Sequence, residues 1–123
     1  METNQLPSQL MPIVLNIVAS FFGAFGQYFY KLGSKRLGAE SLLRNWQLGL
    51  GVLLFCAVMV LFVAGFKLGG RLSVVFPFYA LTFVWGALIG YWLENEPVNL
   101  LQWSGIGIVV LGISIVAFGS ASN

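Results

Sequence analysis

The chain has 123 residues, of which 59% are hydrophobic and only 8% charged, and its mean hydropathy is +0.89. A soluble domain carries roughly 25% charged residues, so this composition cannot cover a water-facing surface and marks an integral membrane protein. The chain has no His, its four acids are all Glu and Cys56 is its one cysteine, so a Ser-His-Asp triad, a Cys-His pair, a His metal site and a multi-cysteine zinc site are excluded and no catalytic residue, metal or cofactor is expected; a net charge of +2 is too small for a nucleic-acid partner.

A helix needs about 20 mostly apolar residues to cross a bilayer. The first stretch that qualifies runs from Met11 to Tyr30. Its leader, Met1 to Gln9, has no basic residue, unlike a secretory signal, so an uncleaved first helix is expected. This span carries Asn16, Ser20 and Gln27, followed at its end by Lys31. Polar groups in lipid mark function or a helix contact. Gln27 and Lys31 are four apart and share a helix face, with Gly23 and Gly26 one turn before them. That face suits a phosphate headgroup, or Lys31 simply snorkels to the interface.

The second span runs from Trp46 to Phe66 and is apolar at every position from Val52 to Leu61, which excludes the alternation of a β-barrel strand. The third runs from Ser73 to Leu93. Pro77 lies near its start, where it opens the helix or kinks it. Tyr79 and Thr82 follow, and Trp85 lies mid-span, where a buried indole N–H needs a partner. Glu94 and Glu96 close this helix. On a continuing helix they stand about 200° apart and do not act as a pair, so a solvated helix end is the plain reading.

The fourth span runs from Leu100 to Gly119, with Gly105, Gly112 and Gly119 spaced by seven on one face. Small residues let helix backbones approach closely in membranes, so this stripe is the expected dimer interface. Trp46, Trp92 and Trp103 sit at span boundaries as interfacial anchors. The expected architecture is an all-α, dimeric, up-down four-transmembrane-helix bundle, with residues 1–123 as one domain. The side bearing the first and third loops holds four basic residues against two on the other, a weak bias towards a cytoplasmic first loop.

Four short helices with Gly26-Gln27 followed by Lys31 at the end of the first resemble the small multidrug resistance branch of the drug/metabolite transporter superfamily, from about Pro12 to Gly119. The Gly105 to Gly112 spacing is similar to the dimerisation stretch of that branch. Its drug exporters carry a membrane-embedded glutamate at the position of Gly23, so the resemblance implies the scaffold and not proton-coupled drug antiport. Within the superfamily the chain is most similar to the small subunits of undecaprenyl-phosphate-aminoarabinose flippases. The likeness runs without a gap through Pro77, Phe83-Val84-Trp85, Glu96-Pro97-Val98 and Trp103-x-Gly105.

That resemblance implies a multi-pass protein of the bacterial inner membrane. It would flip a polyprenyl-phosphate-linked sugar, as a homodimer or paired with a second small subunit. Gln27 and Lys31 would then receive the phosphate, and Asn16, Ser20, Tyr79 and Thr82 would offer hydrogen bonds to the sugar. Trp85 and Glu96 complete the substrate-binding set. An exporter or metabolite carrier of a soluble substrate, which needs no lateral opening, and a non-transporting membrane subunit, whose polar residues all pair internally, remain the alternatives.

Overall fold

The computed structural model describes residues 8–39 and 41–122. The leader over residues 1–7, on which the expectation of an uncleaved first helix rests, lies outside them, as does Glu40. Four helical segments are long and apolar enough to cross a membrane: Leu10–Ser34, Trp46–Lys67, Leu72–Leu93 and Leu100–Ser120. They match the expected spans to within four residues at each end, so the four-helix membrane bundle is the observed architecture.

The first segment is α1 (Leu10–Ser34), the second α2 (Trp46–Lys67) and the last α5 (Leu100–Ser122). The third is interrupted: α3 (Leu72–Phe78) passes through a 3₁₀ turn (Tyr79–Leu81) into α4 (Thr82–Leu93). Pro77 lies inside α3 rather than at its first turn. With no N–H to donate, it removes one hydrogen bond from the ladder, and the helix tightens to 3₁₀ two residues later. Pro77 thus does not open the helix at its first turn; it precedes an interruption of the span.

α1 is the hub and packs on α2, α3, the 3₁₀ turn and α4. Glycines set its closest seam. A Cβ on Gly26 would lie 2.7 Å from the Phe55 ring, and one on Gly51 would lie 2.6 Å from the Tyr30 ring. Tyr30 and Phe55 themselves stack with centroids 5.2 Å apart. Two polar clasps fix the ends of this seam. Asn45 caps α2 by accepting from the Leu48 N–H at 3.3 Å and donates to the Gly33 carbonyl at 2.9 Å; such a cap is worth about 1 kcal/mol. At the opposite end Gln9 donates to the Gly69 carbonyl at 3.0 Å and accepts from the Arg71 N–H at 2.8 Å.

α5 leans only lightly on α3, the 3₁₀ turn and α4, and is exposed along most of its length. A Cβ added at Gly105, Gly112 or Gly119 would meet nothing within 4 Å. The stripe is therefore not used for packing inside the described chain.

Candidate functional site

α1 and the α3–α4 segment run in the same direction, so their C-terminal ends meet on one side of the bundle. There Ala24, Gln27, Tyr28 and Lys31 of α1 face Gly86, Ile89 and Gly90 of α4, and Glu94 and Glu96 close the far wall, around a cleft of about 150 Å³. The spacing 24, 27, 28, 31 is one helical face. The expected pairing of Gln27 with Lys31 on one wall is found. The small residue beneath them is Ala24, however, because Gly23 and Gly26 turn to other neighbours.

The two glutamates depart most from expectation. They do not diverge around a helix; both reach Lys31. Lys31 Nζ donates to Glu96 Oε2 and lies 3.3 Å from Glu94 Oε1, and Lys35 Nζ lies 3.5 Å from the same Glu94 oxygen. The cause is local. α4 ends at Leu93, and Asn95 takes a left-handed conformation with φ +54°. The chain turns, and the Glu96 N–H bonds back to the Gly90 carbonyl at 2.9 Å. Asn tolerates this region better than other non-glycine residues. A Cβ on Gly90 would stand 2.6 Å from Glu96 Oε1, so the missing side chain leaves room for the carboxylate to fold over the helix. The Lys31 ammonium hydrogen-bonded to Glu94 holds that carboxyl below its ordinary value of 4.5, against a smaller opposing effect of burial. The expected divergence of the two glutamates is thus corrected: the turn at Asn95 brings both onto one cation, while Glu96 stays exposed.

Beside the cleft, and sharing Ile89 with it, lies an apolar groove of about 270 Å³ lined by Phe21, Phe25, Trp85, Leu88, Trp92 and Leu93. Phe21, Trp92 and Leu93 are exposed, so the groove opens sideways from the bundle. Trp85 anchors its floor: the indole N–H donates to Ser20 Oγ at 3.0 Å, and its ring meets Phe21 edge-on at 5.3 Å.

The remaining candidates lie elsewhere. Asn16 and Ser20 are fully buried; Asn16 donates to the Pro12 carbonyl at 3.1 Å and Ser20 to the Ile17 carbonyl at 2.6 Å. Tyr79 and Thr82 line a separate surface hollow with Phe76, Pro77, Ala80 and Phe83. The Tyr79 hydroxyl occupies the place a Cβ on Gly23 would need, and its ring packs edge-on against Phe62 at 5.0 Å. The space beside Gly23 is therefore filled by a tyrosine from the 3₁₀ turn. Sequence reasoning missed the roles of Glu94, Gly90 and the aromatic groove; Asn95 between two acids, just before Pro97, was the available signal for an early helix stop.

No family model and no solved structure matches the chain. It is 30% identical over 102 residues to a protein of Klebsiella pneumoniae (strain 342) described as "Probable 4-amino-4-deoxy-L-arabinose-phosphoundecaprenol flippase subunit ArnE", covering 81% of this chain and 90% of the relative. A protein of Erwinia tasmaniensis with the same description is 30% identical over 106 residues, covering 86% and 96%. One of Escherichia coli O45:K1 is 28% identical over 102 residues, covering 81% and 91%. The chain belongs to the ArnE family. Family membership and four membrane-spanning helices make it a multi-pass protein of the bacterial inner membrane. The ArnE relatives are named as flippase subunits, that is, as transport proteins rather than enzymes.

Proposed function

We propose that the chain is one subunit of a dimeric flippase that moves a polyprenyl-phosphate-linked sugar across the inner membrane. The observation that carries this reading is the junction of a charged cleft with an aromatic groove open to the side. A lipid-linked substrate has the same two parts. Its polyprenyl tail stays in the bilayer and rests on apolar surface, while its headgroup requires polar walls across a region where unpaired polar atoms are costly. Phe21, Trp85 and Trp92 suit the first, and Gln27 and Lys31 the second.

Two further features support the reading. The place of the drug exporters' carboxylate is blocked by Tyr79, which leaves a cationic drug no counter-charge there. The glycine stripe on α5 is free to meet a second chain, and the relatives are named as subunits. The partner is a second copy or a second small membrane subunit. Asn16 and Ser20, buried and held by backbone carbonyls, act by fixing α1 rather than by facing the sugar in this conformation. Tyr79 and Thr82 contact substrate only on a path along the other flank of the 3₁₀ turn.

The test is translocation. The protein, extracted with its native partner, is reconstituted into vesicles with a short-chain polyprenyl phosphate carrying a pentose. The rate at which the sugar becomes accessible to a membrane-impermeant reagent is then followed. The reading predicts a rate well above that of protein-free vesicles, reduced to that background by Lys31→Gln and partly retained by Lys31→Arg, which keeps the charge but alters geometry. A Lys31→Gln protein that transports normally contradicts it.

A further inference from the structure

Glu96 stands between two hollows. On one side it lines the cleft with Gln27, Lys31 and Gly90. On the other it lines a shallow surface hollow of about 410 Å³ with Tyr91, Trp92, Asn95 and Pro97. Its carboxylate takes the inner place and accepts a hydrogen bond from Lys31 Nζ. To an ammonium, a carboxylate and a phosphate offer the same thing, an anionic oxygen that accepts charge-assisted hydrogen bonds. Lys31 is thus occupied by an anion that the chain itself supplies.

We propose that Glu96 is an autoinhibitory lid: its carboxylate holds the phosphate's place on Lys31 and keeps the cleft mouth shut until a lipid phosphate displaces it. The proposal rests on the flippase reading above and adds a closing device to the same site. Three observations carry it. First, the backbone delivers the carboxylate. After the turn at Asn95 the Glu96 N–H bonds to the Gly90 carbonyl at 2.9 Å, and a Cβ on Gly90 would stand 2.6 Å from Glu96 Oε1, so the bare glycine leaves its seat open. Second, Glu96 can leave. Its side chain is 47% accessible against 13% for Glu94, and the outer hollow receives it by side-chain rotation alone. Third, Glu94 can stay, because Lys35 Nζ lies 3.5 Å from the oxygen that Lys31 approaches at 3.3 Å. Opening the lid therefore removes one partner from Lys31 and leaves the other acid paired. A half-exposed ion pair is weak, which suits a contact broken in every cycle. A phosphate whose chain also gains the apolar groove outcompetes it.

The experiment measures binding of one sugar-free probe, farnesyl phosphate, to the purified full-length protein in detergent. Glu96→Gln should tighten binding by roughly two- to fivefold, the scale of a half-exposed ion pair. On a Lys31→Gln background the same change should gain nothing. Glu96→Asp keeps the charge but draws the carboxylate back by one methylene, so it should show part of the gain, where a general effect of net charge would give none. Unchanged or weaker binding in both Glu96 variants overturns the lid, and so does a gain confined to Glu96→Gln. In either case the flippase reading stands as long as Lys31→Gln alone weakens the probe. If Lys31→Gln binds the probe as well as the unaltered protein, or if no form binds it, the phosphate is not received at Lys31, and that reading of the site falls together with the lid. Where Glu96→Gln does not fold, Glu96→Asp decides the matter.

Discussion

Adding one methyl group at Gly23 puts the packing account to a quantitative test. A Cβ at this position would clash with the Tyr79 hydroxyl, and would lie 3.0 Å from Tyr79 Cζ and 3.3 Å from Cε1. Gly23 is buried, and the Tyr79 ring is pinned against Phe62 at 5.0 Å. Overpacking of this kind costs about 1–3 kcal/mol, whereas Gly to Ala in a helix otherwise gains up to about 1 kcal/mol. Gly107→Ala supplies the reference, because a Cβ there meets nothing within 4 Å. The difference between the two variants isolates the clash, and about 1–3 kcal/mol in favour of Gly107→Ala is expected. Tyr79→Phe removes the nearest atom but not Cζ, so it relieves the clash in part, with a coupling of at least about 0.5 kcal/mol in the double-mutant cycle. The assay is reversible unfolding in mixed micelles as the fraction of denaturing detergent rises, read by tryptophan fluorescence. If Gly23→Ala and Gly107→Ala shift stability equally and the cycle is additive, Tyr79 does not fill the space beside Gly23.

Gly112→Leu should weaken self-association or subunit pairing in detergent without destabilising the monomer, since the position is open; oligomer size by light scattering checks this. Glu94 is held below its ordinary value of 4.5 by Lys31. A depressed carboxyl contributes stability that is fully present above the unfolded value and lost as pH falls through the folded one. Stability should therefore decline as pH drops below 4.5, and Glu94→Gln should lack that part of the slope in unfolding measured from pH 7 to pH 3. Trp85→Phe should cost about 0.5–1.5 kcal/mol through loss of the hydrogen bond to Ser20, and an unchanged unfolding midpoint would show that bond to be idle.

The spans were legible because the bilayer sets one coarse requirement, apolar length, and stretches such as Val52 to Leu61 meet it without ambiguity. The face shared by Gln27 and Lys31 was legible for a similar reason, since both lie on one unbroken helix. What failed was helical arithmetic carried past a helix end. The 200° between Glu94 and Glu96 holds only while the backbone stays helical, and α4 stops at Leu93. One residue with φ +54° then reverses the conclusion. The glycines show a second limit. Gly23 and Gly26 accommodate distant neighbours, Tyr79 and Phe55, and Gly90 a local one, Glu96; spacing along a helix says that small residues are needed but not what fills the space. The aromatic groove was hidden because lipid-facing and groove-lining aromatics look alike in a uniformly apolar helix.

The proposed path brings a lipid phosphate in beside Lys31 with its chain along the aromatic groove. The most direct measurement is an electron-microscopy density map of the protein in nanodiscs with a short-chain polyprenyl-phosphate pentose. The account predicts phosphate density with an oxygen within about 4 Å of Lys31 Nζ, tail density along Phe21, Trp85 and Trp92, and Glu96 moved off Lys31. A headgroup resolved on the other flank, against Tyr79 and Thr82, with the Lys31 to Glu96 pair intact, would contradict it.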